Sequence, residues 1–309
     1  MKNGSLLAGV VLLFLVLPLT APAAGRAGAV RLVVDQVGRS VRVPDRPRRV
    51  VSLMPSITEE VFDLGRGGLL VGVTLYAKEP PAAAALPRVG SYVNPDLERI
   101  VALRPDLCLA ARDGNPADLV RRLAELNIPV FALDPQTLPA IMDSIRLLGS
   151  LLHAEKKAAG IVADMKRKMA AVAQRVAGAA GRPRVFFQID ASPIVSAGSG
   201  TFIDRLITRA GGVNLAAGPT AYPRFSWEDI LAMQPDVVII ASMAGGYTEK
   251  QLKAGWRQWP QIPAVRQGRL FVVDAALFDR PSPRLVDGLV RLADIFYPGG
   301  HVPVSVNVR

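Results

Sequence analysis

The feature that most constrains this 309-residue chain is that it repeats itself. Leu97-Glu98-Arg99-Ile100-Val101-Ala102-Leu103-Arg104-Pro105-Asp106 returns as Trp227-Glu228-Asp229-Ile230-Leu231-Ala232-Met233-Gln234-Pro235-Asp236. Glu, Ile, Ala, Pro and Asp recur at one offset of 130 residues. An apolar run follows each copy, Leu107 to Ala110 and Val237 to Ile240. Tyr92 and Tyr222 stand at the same offset. Ser56-Ile57-Thr58 and Ser199-Gly200-Thr201 form a second matched pair, each opening a helix that closes near a Gly-Gly pair. Self-similarity at a fixed spacing marks a structural unit used twice. The chain is therefore predicted to fold as two lobes of like design, and two such lobes enclose a cleft.

Within each lobe, short apolar runs alternate with helical patterns, which argues for α/β units and parallel sheets. In the first half, strands are expected at 49–53, 70–73, 106–110 and 129–132. Ser56 to Glu60 reads as a capped helix start with acids in its first turn. Further helices are expected at 97–103, 116–126 and 139–148. Between the halves, Ala154, Ala158, Val162, Met165, Met169, Val172 and Val176 recur at three- and four-residue steps. A helix over 154–177 would run about 35 Å. It stops at Gly178 and Gly181-Arg182-Pro183. The expected architecture is two Rossmann-like α/β lobes, at 48–150 and 182–309, with the long helix within 151–181 either a spine joining them or an ordinary surface helix.

Residues 1–23 read as an export signal. Lys2 precedes an uncharged run from Leu6 to Leu19, and small residues follow, with Ala23 the best cleavage point. The run is too short for a comfortable membrane span. No cysteine follows it, so no lipid attachment is expected, and residues 24–47 read as a lead-in. The single cysteine, Cys108, excludes a disulfide and a Cys-based metal site, and it reads as inert core. His153 and His301 lie far apart and do not make a metal site. The net charge of +11 is spread over single and paired Arg residues, which is the pattern of a solvated surface and not of a nucleic-acid site. No Gly-x-Ser-x-Gly, His-Glu-x-x-His or phosphate loop is present, so no catalytic residue is assigned.

From about Arg49 to Leu292 the chain resembles the periplasmic substrate-binding proteins of ABC importers. The resemblance is to the class III type with a rigid helical backbone, which takes up cobalamin, haem and ferric siderophores. Its most specific stretches are Tyr92 to Val130 and Leu277-Phe278-Asp279-Arg280-Pro281-Ser282-Pro283-Arg284. Within that family it is most similar to the cobalamin-binding members. The resemblance implies a monomeric periplasmic receptor that captures a corrinoid without chemistry and delivers it to a permease dimer with its ATPase. It implies ligand contacts at Tyr76, at Tyr92 and Tyr222 (tryptophan in the cobalamin-binding members), and at Phe278, Asp279 and Arg280. It also implies that Glu98 and Glu228, one per lobe, dock on the permease.

The residues themselves suit a flat ligand. Aromatic faces on two walls can sandwich a planar ring, and Arg224, Arg280 and Arg284 can donate to its periphery. An acid at Glu98 or Glu228 also suits a helix N-terminus. A haem or ferric-siderophore receptor of the same fold stays open, with Tyr92 as the iron ligand for haem. An extracytoplasmic enzyme is the distant alternative.

Overall fold

The computed structural model describes residues 29–241 and 248–299. The expected signal at 1–23 and His301 lie outside the described residues. The stretch read as a lead-in holds a hairpin, β1 (Val30–Val34) against β2 (Ser40–Pro44). A lone two-stranded hairpin is marginal in water; this one is fastened to the lobe. The Asp35 carboxylate accepts from the Val37 and Arg39 backbone N–H groups and from the Arg39 guanidinium. The Gln36 side chain donates to Ala140 O (3.1 Å) and accepts from Asp134 N–H and Ser144 Oγ–H.

The first lobe continues β3 (Val50–Ser52), α1 (Pro55–Asp63), β4 (Leu70–Val73), α2 (Pro81–Ala84), α3 (Leu97–Ala102), β5 (Leu107–Ala111), α4 (Ala117–Glu125), β6 (Val130–Leu133) and α5 (Leu138–Leu151). Its sheet runs β4-β3-β5-β6, all parallel. Helix α6 (Glu155–Ala177) leads to the second lobe. That lobe comprises β7 (Arg184–Ala191), β8 (Ile194–Ser196), α7 (Phe202–Arg209), β9 (Val213–Asn214), β10 (Arg224–Phe225), α8 (Trp227–Met233), β11 (Val237–Ile240), α9 (Glu249–Arg257), α10 (Pro263–Arg266), β12 (Leu270–Val272) and α11 (Arg284–Phe296). Its sheet runs β10-β8-β7-β11-β12, with β9 also on β7. It is mixed, not parallel throughout. Only Ser192-Pro193 separates β7 from β8, and so short a link forces an antiparallel pair.

The buried strands alternate between two apolar layers, as strand geometry requires. In β5, Leu107, Leu109 and Ala111 join one cluster while Cys108 and Ala110 join another on the opposite face. In β11, Val237 and Ile239 face one way while Val238 and Ile240 face the other. The first layer is continuous through both lobes, from β3 by way of α5 and α6 to α11. Ala158, Val162, Met165 and Val172 of α6 are buried in it. Lys168 bridges Asp164 (2.9 Å) and Asp287 (2.6 Å), and Arg175 pairs with Asp294, so α6 is also tied to α11 by charge.

The sequence repeat has a physical reason at each shared residue. Asp96 and Ser226, 130 apart, are the N-caps of α3 and α8. Arg104 and Gln234 both take left-handed backbone, φ 46° and 47°, before their prolines. Asp106 accepts from the Arg48 and Arg49 N–H groups, and Asp236 from that of Arg184. The repeated carboxylates therefore splice each helix–strand unit to the first strand of its sheet. The expectation at Ser56 is corrected. Helix α1 starts at Pro55 after Met54, no side chain caps it, and no acid lies in its first turn. Ser56, Glu59 and Glu60 are buried within the helix. The Pro55 ring sets the start, which needs no N–H at that position.

Candidate ligand-binding cleft

Ligands of open parallel sheets lie beyond the carboxyl ends of the strands. In the first lobe those ends carry the loops after β3, β4 and β5. Tyr76, 52% exposed, follows β4 and meets Tyr92 edge to face, with ring centroids 5.8 Å apart. The Tyr76 loop is pinned by Arg88, whose guanidinium donates to Thr74 O (2.9 Å) and Ala77 O (2.8 Å). The Tyr92 loop is pinned by Asn115. Its amide donates to Tyr92 O (2.8 Å) and Leu53 O (2.9 Å), and its oxygen accepts from Ala111 N–H (2.8 Å). Gly114, at φ +125°, lies close under Met54 and Tyr92; a Cβ there would sit 3.1 Å from Met54 Cε and 3.4 Å from the Tyr92 ring. Leu75 and Val93 are exposed beside the tyrosines in sequence, so this end of the lobe presents apolar surface.

In the second lobe, Tyr222 is 61% exposed just before β10. Its neighbours Ala221 and Pro223 accept from Gly198 and Ser196 N–H, which anchors that segment. Arg224, on β10, is exposed. No ring contact joins Tyr222 to the Tyr76–Tyr92 pair among the described residues. Phe278 departs from expectation. It is 2% exposed and packs on Phe187 with centroids 5.3 Å apart, so it anchors its loop in the core and presents no face to a ligand. Gly288 makes room for it, since a Cβ there would meet Leu277 O at 2.6 Å.

Asp279 and Arg280 follow at the mouth. Arg280 reaches across to the first lobe, its Nη1 2.5 Å from Glu59 Oε1, and its Nε lies 3.6 Å from Asp279 Oδ1. Arg284 stands 3.4 Å from Asp274. Burial pushes the Glu59 carboxyl up, against the pull of Arg280. Burial also raises Asp279, again opposed by Arg280. Glu60, fully buried one residue on, is pushed well up by burial and then by Asp63 and Glu59. A second link between the lobes is Arg205 donating to Gln136 O at 2.5 Å.

A cleft of 1370 Å³ lies between the lobes beside α6, with Glu59, Lys78, Arg280 and Arg284 in its wall. As many carboxylates as Lys and Arg side chains line it. The tyrosines lie outside that lining, although Lys78 is only two residues beyond Tyr76. Glu98 and Glu228 are exposed in the first turns of α3 and α8, and neither makes an ion pair with a described residue. Cys108 is buried in β5, its thiol pushed up to about 12 by burial. Among the described residues no cluster of His, Cys, Asp and Glu has the makings of a metal site. Likewise no described helix is long and apolar enough to cross a membrane.

Asn115 and Glu59 are not legible as site residues in the sequence. Asn115 carried only a turn signature, Gly114-Asn115-Pro116. Glu59 looked like one of two acids at a helix start, and nothing local pairs it with a residue 221 positions away.

Residues 50–277 match the periplasmic binding protein family. The vitamin B12-binding protein of Pectobacterium carotovorum is 32% identical over 244 residues, covering 78% of this chain and 85% of that one. The periplasmic vitamin B12 binding protein of Vibrio cholerae superposes with a TM-score of 0.70 at 28% identity, over 82% of this chain and 98% of that one. A periplasmic haem-binding protein from Pseudomonas aeruginosa superposes with a TM-score of 0.72 at 30% identity, over 82% and 94%. The chain belongs to the periplasmic binding protein family, whose members bind substrates without transforming them.

Proposed function

We propose that this protein captures cobalamin or a related corrinoid between its lobes and delivers it to an ABC permease dimer. The observation that carries the reading is the cleft itself. At 1370 Å³ it exceeds the ~300–1,000 Å³ usual for small-molecule sites, and its wall balances positive against negative charge. A large, net-neutral ligand rimmed with amides suits such a wall, because each amide can donate to a carboxylate and accept from an arginine. Tyr76, Tyr92 and Tyr222 lie outside the lining of this cleft and are read as aromatic faces that a planar ring reaches beyond it. The likeness to the B12-binding protein of Pectobacterium carotovorum supports the same ligand.

Titration with cyanocobalamin and, in parallel, haemin tests this. All three tryptophans cluster in the second lobe, Trp227 within 5.2 Å of Trp256 and 5.6 Å of Trp259, centroid to centroid. Their emission is a readout, since both ligands absorb light. One-to-one quenching by cyanocobalamin alone is the expected result. Haemin binding with a tyrosinate spectrum that Tyr92→Phe abolishes would assign haem instead. Glu98 and Glu228 are read as the permease contacts, two exposed acids at one register of the repeat, facing a two-fold partner. Glu98→Ala with Glu228→Ala is expected to stop transport in cells and leave affinity in solution unchanged.

A further inference from the structure

We propose that Glu59 sets the charge selectivity of the cleft, making it a receptor for uncharged ligand edges and against carboxylate-bearing ones. The inference rests on the reading of the cleft as the ligand site. Arg280 and Arg284 are the cations of the second lobe's mouth, and taken alone they would recruit an anion. Glu59 removes that option for Arg280. Its carboxylate is 8% exposed and 2.5 Å from the guanidinium, held there by buried α1. Asp279 lies on the other side of the same guanidinium at 3.6 Å, and Asp274 occupies Arg284 at 3.4 Å. Asp63 is close enough to act on Glu59, as is Arg284. Around Arg280, carboxylates outnumber cations.

At Arg280 an incoming carboxylate therefore meets a guanidinium already paired and must be desolvated beside Glu59 and Asp279. An amide edge meets donors and acceptors side by side and loses no charge solvation. Glu59 differs from Asp279 and Asp274 in coming from the opposite lobe. Its reach across 221 residues of sequence places a first-lobe charge on a second-lobe cation. Selection is thus assembled only when both lobes are in place.

The test uses matched ligands that differ only in charge. Cyanocobalamin is compared with its monocarboxylic derivatives, in which one peripheral amide has been hydrolysed, by calorimetry on wild type, Glu59→Gln, and Glu59→Gln with Arg280→Gln. Wild type is expected to bind the neutral ligand more tightly. Glu59→Gln frees Arg280, and the neutral-to-acid affinity ratio is expected to shift about tenfold toward the acid, with a steeper salt dependence for the acid. The double variant removes cation and anion together, and its ratio is expected to return to that of wild type. An unchanged ratio in Glu59→Gln overturns the proposal, as does a wild type that prefers the acids. Haemin binding without cyanocobalamin binding overturns the corrinoid reading separately. Haemin and its dimethyl ester then serve as the matched pair, and a wild-type preference for the diacid overturns the role of Glu59.

Discussion

Replacing Asn115 by alanine should loosen the fold and the first-lobe half of the site together. The side chain sits almost buried between β3, β5 and the Tyr92 loop, with hydrogen bonds of 2.8, 2.9 and 2.8 Å to Ala111 N–H, Leu53 O and Tyr92 O. Each bond contributes about 1 kcal/mol net, and a buried group left without its partner costs about 1–3 kcal/mol more. Ala111 and Leu53 are both buried, so water cannot readily replace Asn115 there. The expected loss is about 3 kcal/mol, a fall in melting temperature of roughly 5 °C for a chain of this size. Urea unfolding should show a lower midpoint at unchanged slope. Ligand affinity should fall in the folded variant, because Tyr92 is no longer held. Asn115→Asp sharpens the test. A carboxylate still accepts from Ala111 N–H but cannot donate to Leu53 O or Tyr92 O. Protonation restores one donor, so its folded-state pKa must lie above the ordinary carboxylate value. Its deficit should then be smallest in acid and grow as pH rises through that value. A loss under 1 kcal/mol for Asn115→Ala, or wild-type stability of Asn115→Asp at pH 7, refutes the clamp.

Glu60 has a folded-state pKa raised well above 4.5 by burial, with Asp63 and Glu59 adding to it. The fold therefore favours the protonated form, and this group's contribution is complete in acid and lost as pH rises through the raised value. Glu60→Gln should raise the melting temperature at pH 7–8 and change it little at pH 4; an equal effect at both refutes the assignment. Gly149 of α5 faces Ala158 of α6 so closely that an added Cβ would lie 2.5 Å from the Ala158 Cβ. Gly149→Ala gains helix propensity but should cost about 1–3 kcal/mol by prising the helices apart, and adding Ala158→Gly should restore most of it in thermal melts. The apolar layer shared through α6 predicts little lobe movement on binding. Small-angle scattering of free and ligand-saturated protein should differ by no more than the ligand's own contribution, and a contraction would contradict a preformed cleft.

The parts of this fold that were legible are those fixed by neighbours in sequence. Strands such as Leu107–Ala111 and Val237–Ile240 announce themselves because parallel strands covered on both faces are apolar throughout. The offset of 130 residues was legible because the same cap, left-handed turn and splicing carboxylate are needed twice. What stayed hidden depends on distant partners. The β1–β2 hairpin is ordered by Gln36 reaching Ala140 and Ser144, more than 100 residues on. Phe278 looked like a mouth residue. Whether its ring turns in or out is decided by space beside Phe187 and Gly288, which its own segment does not encode.

The same division separates how the cleft is built from what it prefers. The tyrosines come from local loops, each pinned within its own lobe, so every lobe carries its aromatic surface independently of the other. The charge pattern is different, because Glu59 belongs to α1 and Arg280 to the loop before α11. With α6 fused into both cores, the distance between those two elements is expected to be set by packing and not by ligand. A receptor made this way cannot select by closing harder on a favoured ligand. It has to select by what its fixed wall offers, and at the junction of the lobes that wall offers a guanidinium whose charge Glu59 has already taken up.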